Sequence, residues 1–246
     1  MIPKKIHFCW LSDEPYPELI SKCIASWQRY LPDYEFVLWD KNKFNIENIP
    51  WVKEAYANKK YAFAADYIRL YALYTEGGIY LDSDIEVIKD ISPLLEQTSF
   101  MGFETAGCLE PAVMGAGQGM EWVKKCLDYY KDKHFIKSDG TLEMRPLPGI
   151  MGEILDKDYS LPKNISDSIV LNNAGLTLYP AHYFSPKNYH TKQIHITSET
   201  YTIHHFEVSW AQKGLVYKLK KYLHRIIIST LGQKMHDLIV NKFKNV

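Results

Sequence analysis

The pattern of hydrophobic positions in the first third of the chain alternates between short apolar stretches and longer amphipathic ones. Residues 5–10 and 34–39 are short and rich in β-branched and aromatic residues, which predicts strands. Apolar residues recur every three or four positions over 17–30 and 61–75, which predicts helices, and 51–57 predicts a shorter one. This alternation favours an α/β fold with a doubly wound sheet, in which ligands bind beyond the carboxyl ends of the strands.

Two aspartates follow the glycine pair that ends the second long helix. We predict a strand over residues 77–88, and a period of two places Tyr80, Asp82, Asp84 and Glu86 on one face of it. Like charges side by side repel, and a divalent cation with oxygen ligands would relieve that repulsion. The alternative is a solvated strand end without a metal.

The helix over residues 61–75 carries a second polar pair. Asp66 and Arg69 are three positions apart and therefore lie on one helix face, beside the small residues Ala62 and Ala65. One interpretation is an intrahelical salt bridge of small energetic value. The other is that Arg69, oriented by Asp66, binds sugar hydroxyls or phosphate oxygens of a ligand near the proposed metal.

Charge and cysteine usage narrow the class of protein. The 246 residues carry 29 basic and 29 acidic side chains, so overall charge gives no indication of nucleic-acid binding. The four cysteines lack metal-site spacing, and a chain of this length does not need disulfides, so we expect reduced thiols in a cytoplasmic protein. The first residues lack the apolar core of a signal peptide, and no apolar run reaches the length of a membrane span.

The last part of the chain differs in composition from the rest. From residue 213 onward there are eight Lys or Arg and one acid, and the apolar residues of 215–228 recur at helical spacing. We therefore divide the chain into a domain over 1–212 and a basic amphipathic helical tail over 213–246. The tail either packs on the domain or binds the anionic inner face of the cell membrane as a peripheral anchor.

Four blocks in a fixed order carry a resemblance to a known family. They are Ile-Pro-Lys-Lys-Ile-His-Phe-Cys-Trp (2–10), Ala-Asp-Tyr-Ile-Arg (65–69), Gly-Gly-Ile-Tyr-Leu-Asp-Ser-Asp (77–84) and His-His-Phe-Glu-Val-Ser-Trp (204–210). Together they resemble glycosyltransferase family thirty-two, the DXD-containing sugar transferases, which are related to capsular polysaccharide and mannosyltransferase-type enzymes and to clostridial glucosylating toxins. The resemblance is weak between about 100 and 175, where Pro-Leu-Pro-Gly (146–149) departs from the turn that relatives often show.

The resemblance implies a fold and an activity. The fold would be of the GT-A type, a Rossmann-like single domain with a central, mostly parallel sheet. The activity would be retaining, metal-dependent transfer of a hexosyl group from a nucleotide sugar, most simply a UDP-sugar, to a glycan or lipid-linked glycan, as in surface polysaccharide synthesis. A site with oxygen ligands and one histidine suits Mn²⁺, and Mg²⁺ next.

The same resemblance implies roles for individual residues. Asp84 would ligate the metal directly, and Asp82 would bind the ribose and the water around the metal. One of His204 and His205 would complete the ligand set; we favour His205, and Glu207 is an acidic alternative. The remaining assignments place Asp66 and Arg69 on the donor sugar, Trp10 on the base, Tyr80 on the ribose or phosphate, and Ser209 and Trp210 over the diphosphate.

Three other classes of protein also fit parts of the pattern. A retaining glycoside hydrolase also uses two carboxylates, but its acids flank the scissile bond and need no metal. A haloacid-dehalogenase-like phosphatase opens with Asp-x-Asp on a first strand, which is not where this motif lies. A non-catalytic, membrane-associated glycan-binding module would bind glycans without binding nucleotides.

Overall fold

The computed structural model describes residues 1–104, 107–162, 165–189 and 191–207. The strands in these residues are short and largely buried. They are β1 (Lys5–Cys9), β2 (Glu35–Trp39), β3 (Gly78–Leu81), β4 (Ile85–Val87), β5 (Ser99–Phe103), β6 (Leu109–Ala116), β7 (Ile169–Leu171), β8 (Leu176–Tyr179) and β9 (Thr202–His204).

The helices of the first third of the chain lie where the spacing of apolar residues predicts them. The helices in the described residues are α1 (Glu18–Tyr30), α2 (Pro50–Ala57), α3 (Tyr61–Glu76), α4 (Glu121–Asp128), α5 (Leu147–Tyr159) and α6 (Ala181–Phe184). The predicted helices over 17–30, 51–57 and 61–75 correspond to α1, α2 and α3 to within one residue at each end. The predicted strands over 5–10 and 34–39 correspond to β1 and β2.

A central sheet organises the domain. Within the described residues it has seven strands in the order β2-β1-β3-β6-β5-β8-β7. The strands β1, β2, β3, β5 and β8 run in one direction, and β6 and β7 run in the other. The predicted α/β class with a mostly parallel sheet is therefore confirmed.

Apolar side chains cover both faces of the central sheet. One core contains Trp51 of α2 and Trp122 of α4, both fully buried, packed with the apolar face of α3. The opposite core contains Trp27 of α1 with Ile6 and Phe100 from the sheet. Helices on both faces leave the strand ends as the accessible part of the sheet, which is where ligands bind in this class of fold.

The turn from α3 into β3 requires glycine. Gly77 and Gly78 have φ angles of 64° and 112°, and a Cβ on Gly78 would lie 2.9 Å from the carbonyl oxygen of Lys5. The buried ring of His7 secures the same turn, because its Nε2 lies 2.7 Å from the Gly77 carbonyl and its Nδ1 accepts a hydrogen bond from Trp39 Nε1 at 3.0 Å. These contacts connect β1, β2 and the turn that precedes the two aspartates.

The strand predicted over residues 77–88 is wrong in one respect. β3 ends at Leu81, and Asp82 to Asp84 form a turn in which the Ile85 N–H donates to the Asp82 carbonyl at 3.0 Å. The chain then enters a second sheet, in which β4 pairs antiparallel with β9. The period of two fails because the chain changes sheets at the motif, so the acids do not share a strand face with Glu86.

The predicted amphipathic tail over 213–246 lies outside the described residues. None of the helices in the described ranges combines the length and the apolar character that a membrane crossing needs.

Candidate active site

The two aspartates of the turn lie beside a histidine from the C-terminal part of the domain. Asp82, Asp84 and His204 each offer one ligand atom, and these atoms lie within 4.8 Å of one another. Asp82 follows β3 of the central sheet, whereas His204 ends β9 and pairs with Ile85 across the second sheet. The site therefore forms where the two sheets meet.

His204 lies between two carboxylates. Its Nε2 is 3.5 Å from Asp84 Oδ1, and its Nδ1 is 3.1 Å from Glu110 Oε2. Burial disfavours the charged ring, but Glu110 and Asp84 outweigh it and raise the pKa of His204 well above the ordinary 6.5. Burial likewise opposes the charge on Asp84, yet His204 and the backbone N–H of Glu207, 2.7 Å from Asp84 Oδ2, lower the pKa of that carboxyl.

His205, which the sequence favours as the third ligand, points away from this group. Its Nε2 lies 2.8 Å from Glu86 Oε2, and its backbone carbonyl accepts a hydrogen bond from Lys187 Nζ at 3.0 Å. Neighbouring residues at a strand end face opposite sides, as expected. The histidine that faces the two aspartates is therefore His204 rather than His205.

Arg69 joins the helix α3 to the aspartate turn. Its side chain is 7% exposed, and its Nη2 lies 3.1 Å from Asp66 Oδ1 and 3.2 Å from Asp82 Oδ1. Nη1 donates to Asp82 Oδ2 at 3.3 Å and to the Pro111 carbonyl at 3.0 Å. The Asp66–Arg69 ion pair predicted from the i, i+3 spacing is thus present, and Arg69 also forms an ion pair with Asp82. Arg69 holds both acids in position at the base of the site.

Burial sets the charge of the two acids that share Arg69. It raises the pKa of Asp66 to about 7, against the attraction of Arg69 and together with the repulsion of Asp82. It also raises the pKa of Asp82, where Arg69 opposes and Asp84 adds to the rise. The Tyr80 hydroxyl donates to Asp82 Oδ1 at 3.0 Å, and the Arg69 guanidinium lies 4.7 Å from the centre of the Tyr80 ring.

Trp10 lies just beyond β1, at the carboxyl end of the parallel strands. Its indole is partly exposed and meets the Tyr16 ring edge-on, with the ring centres 5.0 Å apart. The indole N–H donates to the Glu14 carbonyl at 2.9 Å, which fixes the ring without burying its faces in the core. The position is compatible with the base-stacking role that the family resemblance implies, which stays a prediction.

The sequence analysis does not identify two buried residues of the site, Glu110, which contacts His204, and Ser185, which contacts Glu110. Glu110 is 5% exposed and Ser185 is fully buried, and the Ser185 hydroxyl donates to Glu110 Oε2 at 3.1 Å. Glu110 lies in β6 beyond a register shift of the β5–β6 pair, which places it opposite Gly102. Such a bulge turns a side chain toward a site in a way that strand periodicity does not predict.

Ser209 and Trp210, which the sequence assigns to the diphosphate, lie outside the described residues. Glu207, the alternative metal ligand, contacts Asp84 through its backbone N–H.

The donor atoms at the site fit a divalent cation. Two carboxylate oxygens and one imidazole nitrogen form a set that suits Mn²⁺ and Mg²⁺. Ligands on opposite sides of an ion with bonds of roughly 2.2 Å are about 4.4 Å apart, and the three candidate ligand atoms lie within 4.8 Å of one another. Asp82, Asp84 and His204 would hold the ion.

Comparison with known proteins identifies the segment that contains the two aspartates. Residues 17–101 match the glycosyltransferase sugar-binding region containing DXD motif. That segment belongs to the DXD glycosyltransferase family. It includes Asp66, Arg69, Asp82 and Asp84, and the family resemblance predicted from the sequence is confirmed.

Curated relatives of this DXD glycosyltransferase segment come from fungi. The chain is 34% identical to inositol phosphoceramide mannosyltransferase 3 of Schizosaccharomyces pombe over 122 residues, which are 48% of this chain and 34% of that protein. It is 29% identical to a mannosyl phosphorylinositol ceramide synthase of Saccharomyces cerevisiae over 175 residues, 67% of this chain and 45% of that one. The chain thus spans between a third and a half of these relatives.

Solved structures give similarities at lower identity. The PaToxG glycosyltransferase is 19% identical, with a TM-score of 0.45 over 64% of this chain and 69% of that one. A glycosyltransferase involved in the glycosylation of the major capsid of PBCV-1 is 13% identical, with a TM-score of 0.43 over 72% and 82% of the two chains.

Proposed function

We propose that this protein is a retaining glycosyltransferase that uses a divalent metal, Mn²⁺ or Mg²⁺, and a nucleotide-sugar donor. The observation that carries the proposal is the group formed by Asp82, Asp84 and His204 at the meeting point of the two sheets. The family match over residues 17–101 supports it, because two of these three residues belong to the matched DXD segment.

Each residue of the site has a separate proposed role in binding the donor. When bound, the metal supplies Lewis acidity that neutralises negative charge on the departing diphosphate. Arg69 keeps Asp82 and Asp66 in one fixed arrangement, so the donor meets preorganised carboxylates. Asp66, whose pKa is raised to about 7, can accept a hydrogen bond from a sugar hydroxyl when ionised and donate one to it when protonated. Trp10 offers its ring to the base.

Retention of the anomeric configuration is part of the proposal and follows from the family resemblance. In a front-face reaction the acceptor attacks from the side that the diphosphate leaves, and the leaving phosphate oxygen takes the acceptor proton. The glycosidic bond forms as the bond to the diphosphate breaks. Such a reaction needs no covalent nucleophile from the protein. The main task of the protein is to stabilise the negative charge of the leaving diphosphate.

The family resemblance and the names of the fungal relatives each indicate a class of donor, and the names also indicate a class of acceptor. The sequence favours a UDP-sugar, whereas the fungal relatives are mannosyltransferases by name, which favours a mannosyl donor such as GDP-mannose. The acceptor class that we propose is a glycan or a lipid-linked glycan, and the ceramide lipids in the names of these relatives favour a lipid-linked acceptor. The basic tail over 213–246 would bring the domain to the inner face of an anionic membrane.

A binding panel tests the proposal. The protein is titrated with UDP-sugars and with GDP-mannose, each with and without Mn²⁺, by thermal shift and calorimetry. We expect one nucleotide class to bind, and Mn²⁺ to tighten that binding by about tenfold or more, because a bound cation would offset the negative charge of the diphosphate. Asp84→Asn should abolish the Mn²⁺ dependence, while the exposed Asp90→Asn should not.

Activity and glycan-binding assays on the same protein would contradict the proposal if they gave one of three results. If the protein hydrolysed a glycoside and chelators did not inhibit that hydrolysis, it would be a glycoside hydrolase. Release of phosphate without sugar transfer would identify a phosphatase. Glycan binding without nucleotide binding would identify a non-catalytic module.

A further inference from the structure

Glu110 contacts His204 on the side opposite the two aspartates. Its Oε2 lies 3.1 Å from His204 Nδ1, while His204 Nε2 faces Asp84. Neither residue 110 nor residue 204 lies in the matched segment, which ends at residue 101. Glu110 therefore belongs to a part of the site that the family match does not describe.

Three donors converge on the Glu110 carboxylate. Oε2 accepts from the Ser185 hydroxyl at 3.1 Å and contacts His204 Nδ1, and Oε1 accepts from the Ala112 N–H at 3.1 Å. Both oxygens are thus engaged, and the residue is 5% exposed. A glutamine has one carbonyl oxygen and would place its NH₂ group against one of these donors, so a carboxylate alone satisfies the set.

We propose that Glu110 is a positioning residue for the metal site. It accepts the Nδ1–H of His204, so that Nε2, on releasing its proton to solvent, would face the ion that Asp82 and Asp84 would hold. This inference rests on the proposed function, because it presumes that the ion binds there. Metal-ligating histidines in proteins commonly donate their second ring nitrogen to a carboxylate, which fixes the tautomer and the ring orientation.

The fold supports this role independently of the hydrogen bond itself. Glu110 is placed by the register shift between β5 and β6, in the central sheet, whereas His204 lies in the second sheet. Ser185 follows α6 and connects Glu110 to a third element. Glu110 thus fixes the imidazole relative to the central sheet, which also carries Asp82.

The neighbouring histidine provides a matched control. His205 also contacts a carboxylate, Glu86 Oε2, at 2.8 Å, but it faces away from the aspartates. Glu110→Gln and Glu86→Gln therefore make the same chemical change at adjacent histidines, and the proposal predicts an effect on the metal for the first of them alone.

The experiment measures Mn²⁺ affinity from the electron paramagnetic resonance signal of free Mn²⁺, with Mn²⁺ alone and with UDP or GDP present. We expect Glu110→Gln to weaken Mn²⁺ binding by about 10–100-fold, the range found for residues behind metal-ligating histidines. Glu86→Gln should leave Mn²⁺ affinity as in the wild type. Nucleotide affinity in EDTA should be the same in all three proteins.

A double-mutant cycle separates positioning from a general loss of structure. If Glu110 acts through His204, Glu110→Gln should add no further loss of Mn²⁺ affinity in a His204→Ala background. Additive losses, or equal effects of Glu110→Gln and Glu86→Gln, would overturn the inference while leaving the metal site intact. Absence of Mn²⁺ and Mg²⁺ binding by the wild-type protein would overturn both this inference and the metal dependence of the proposed function.

Discussion

Arg69 contacts both carboxylate oxygens of Asp82, with Nη1 3.3 Å from Oδ2 and Nη2 3.2 Å from Oδ1. A planar guanidinium makes this two-point contact, and a lysine ammonium cannot. Because the Arg69 side chain is only 7% exposed and also contacts Asp66, it acts as the common partner of two acids. We therefore expect Arg69 to hold the carboxylates of Asp66 and Asp82 in the orientation in which they would contact the donor.

Replacement of Arg69 tests this arrangement. Arg69→Ala leaves two acids without their buried partner, so the free energy of unfolding should fall by roughly 3–5 kcal/mol, the cost of breaking a buried ion pair. Binding of the intact donor and turnover should fall more than binding of the free nucleotide. Denaturant unfolding and calorimetry measure the two effects, and the exposed Arg29→Ala of α1 is the control. Equal losses for donor and free nucleotide would contradict a sugar-side role.

Trp10 is predicted to act on the base alone. Trp10→Ala should weaken binding of the free nucleoside diphosphate by about 1–3 kcal/mol, the scale of one aromatic stack. Trp10→Phe should retain part of that energy because a smaller aromatic face remains. Stability should change little, since the indole is partly exposed and its packing partner is Tyr16. Unchanged nucleotide affinity in Trp10→Ala, measured by calorimetry, would remove Trp10 from the site.

The buried His7 predicts a pH dependence of stability. Burial disfavours the charged ring and lowers the pKa of His7 below its ordinary value of 6.5. The unfolded chain then binds a proton more readily than the folded protein, so the contribution of His7 is complete above pH 6.5 and decreases as the pH falls toward the folded pKa.

A non-titrating variant isolates this contribution. The difference in unfolding free energy between the wild type and His7→Gln should shrink as the pH falls below 6.5, measured by urea denaturation across that range. The exposed His195→Gln serves as the control. A difference that stays constant with pH would show that His7 does not titrate on unfolding.

The tail prediction comes from the sequence alone. If residues 213–246 bind membranes, removal of residues 214–246 should release the protein from vesicles that contain anionic lipid, and rising salt should weaken binding of the full chain. The truncated protein should still glycosylate a soluble acceptor analogue. An insoluble truncated chain would mean that the tail covers apolar surface of the domain instead.

Local sequence patterns predict the elements of this fold better than they predict the site. The period of α3 and the glycines after it are encoded within a few residues, so the prediction of that helix is confirmed. The nearness of Asp82 and Asp84 is also expected, although a turn rather than a strand face produces it. The choice of His204 over His205 depends on the register of β9 against β4, a pairing between distant segments.

The role of Glu110 is even harder to predict from local sequence than the choice between the two histidines. Strand periodicity does not predict its role, because its position depends on a register shift in β6 and on contacts with Ser185 and His204. A buried acid inside an apolar strand is the one signal that could have drawn attention to it, since charged residues are rarely buried without a partner.

The change of sheets at the aspartate turn has a consequence for how the protein is made. Asp82 and Asp84 leave the ribosome before His204 and the strand that pairs with Ile85, because those residues come later in the chain. A nascent chain therefore cannot assemble the group of Asp82, Asp84 and His204 until residue 204 has emerged. While residues 85–203 are being synthesised, the polypeptide carries both aspartates without His204.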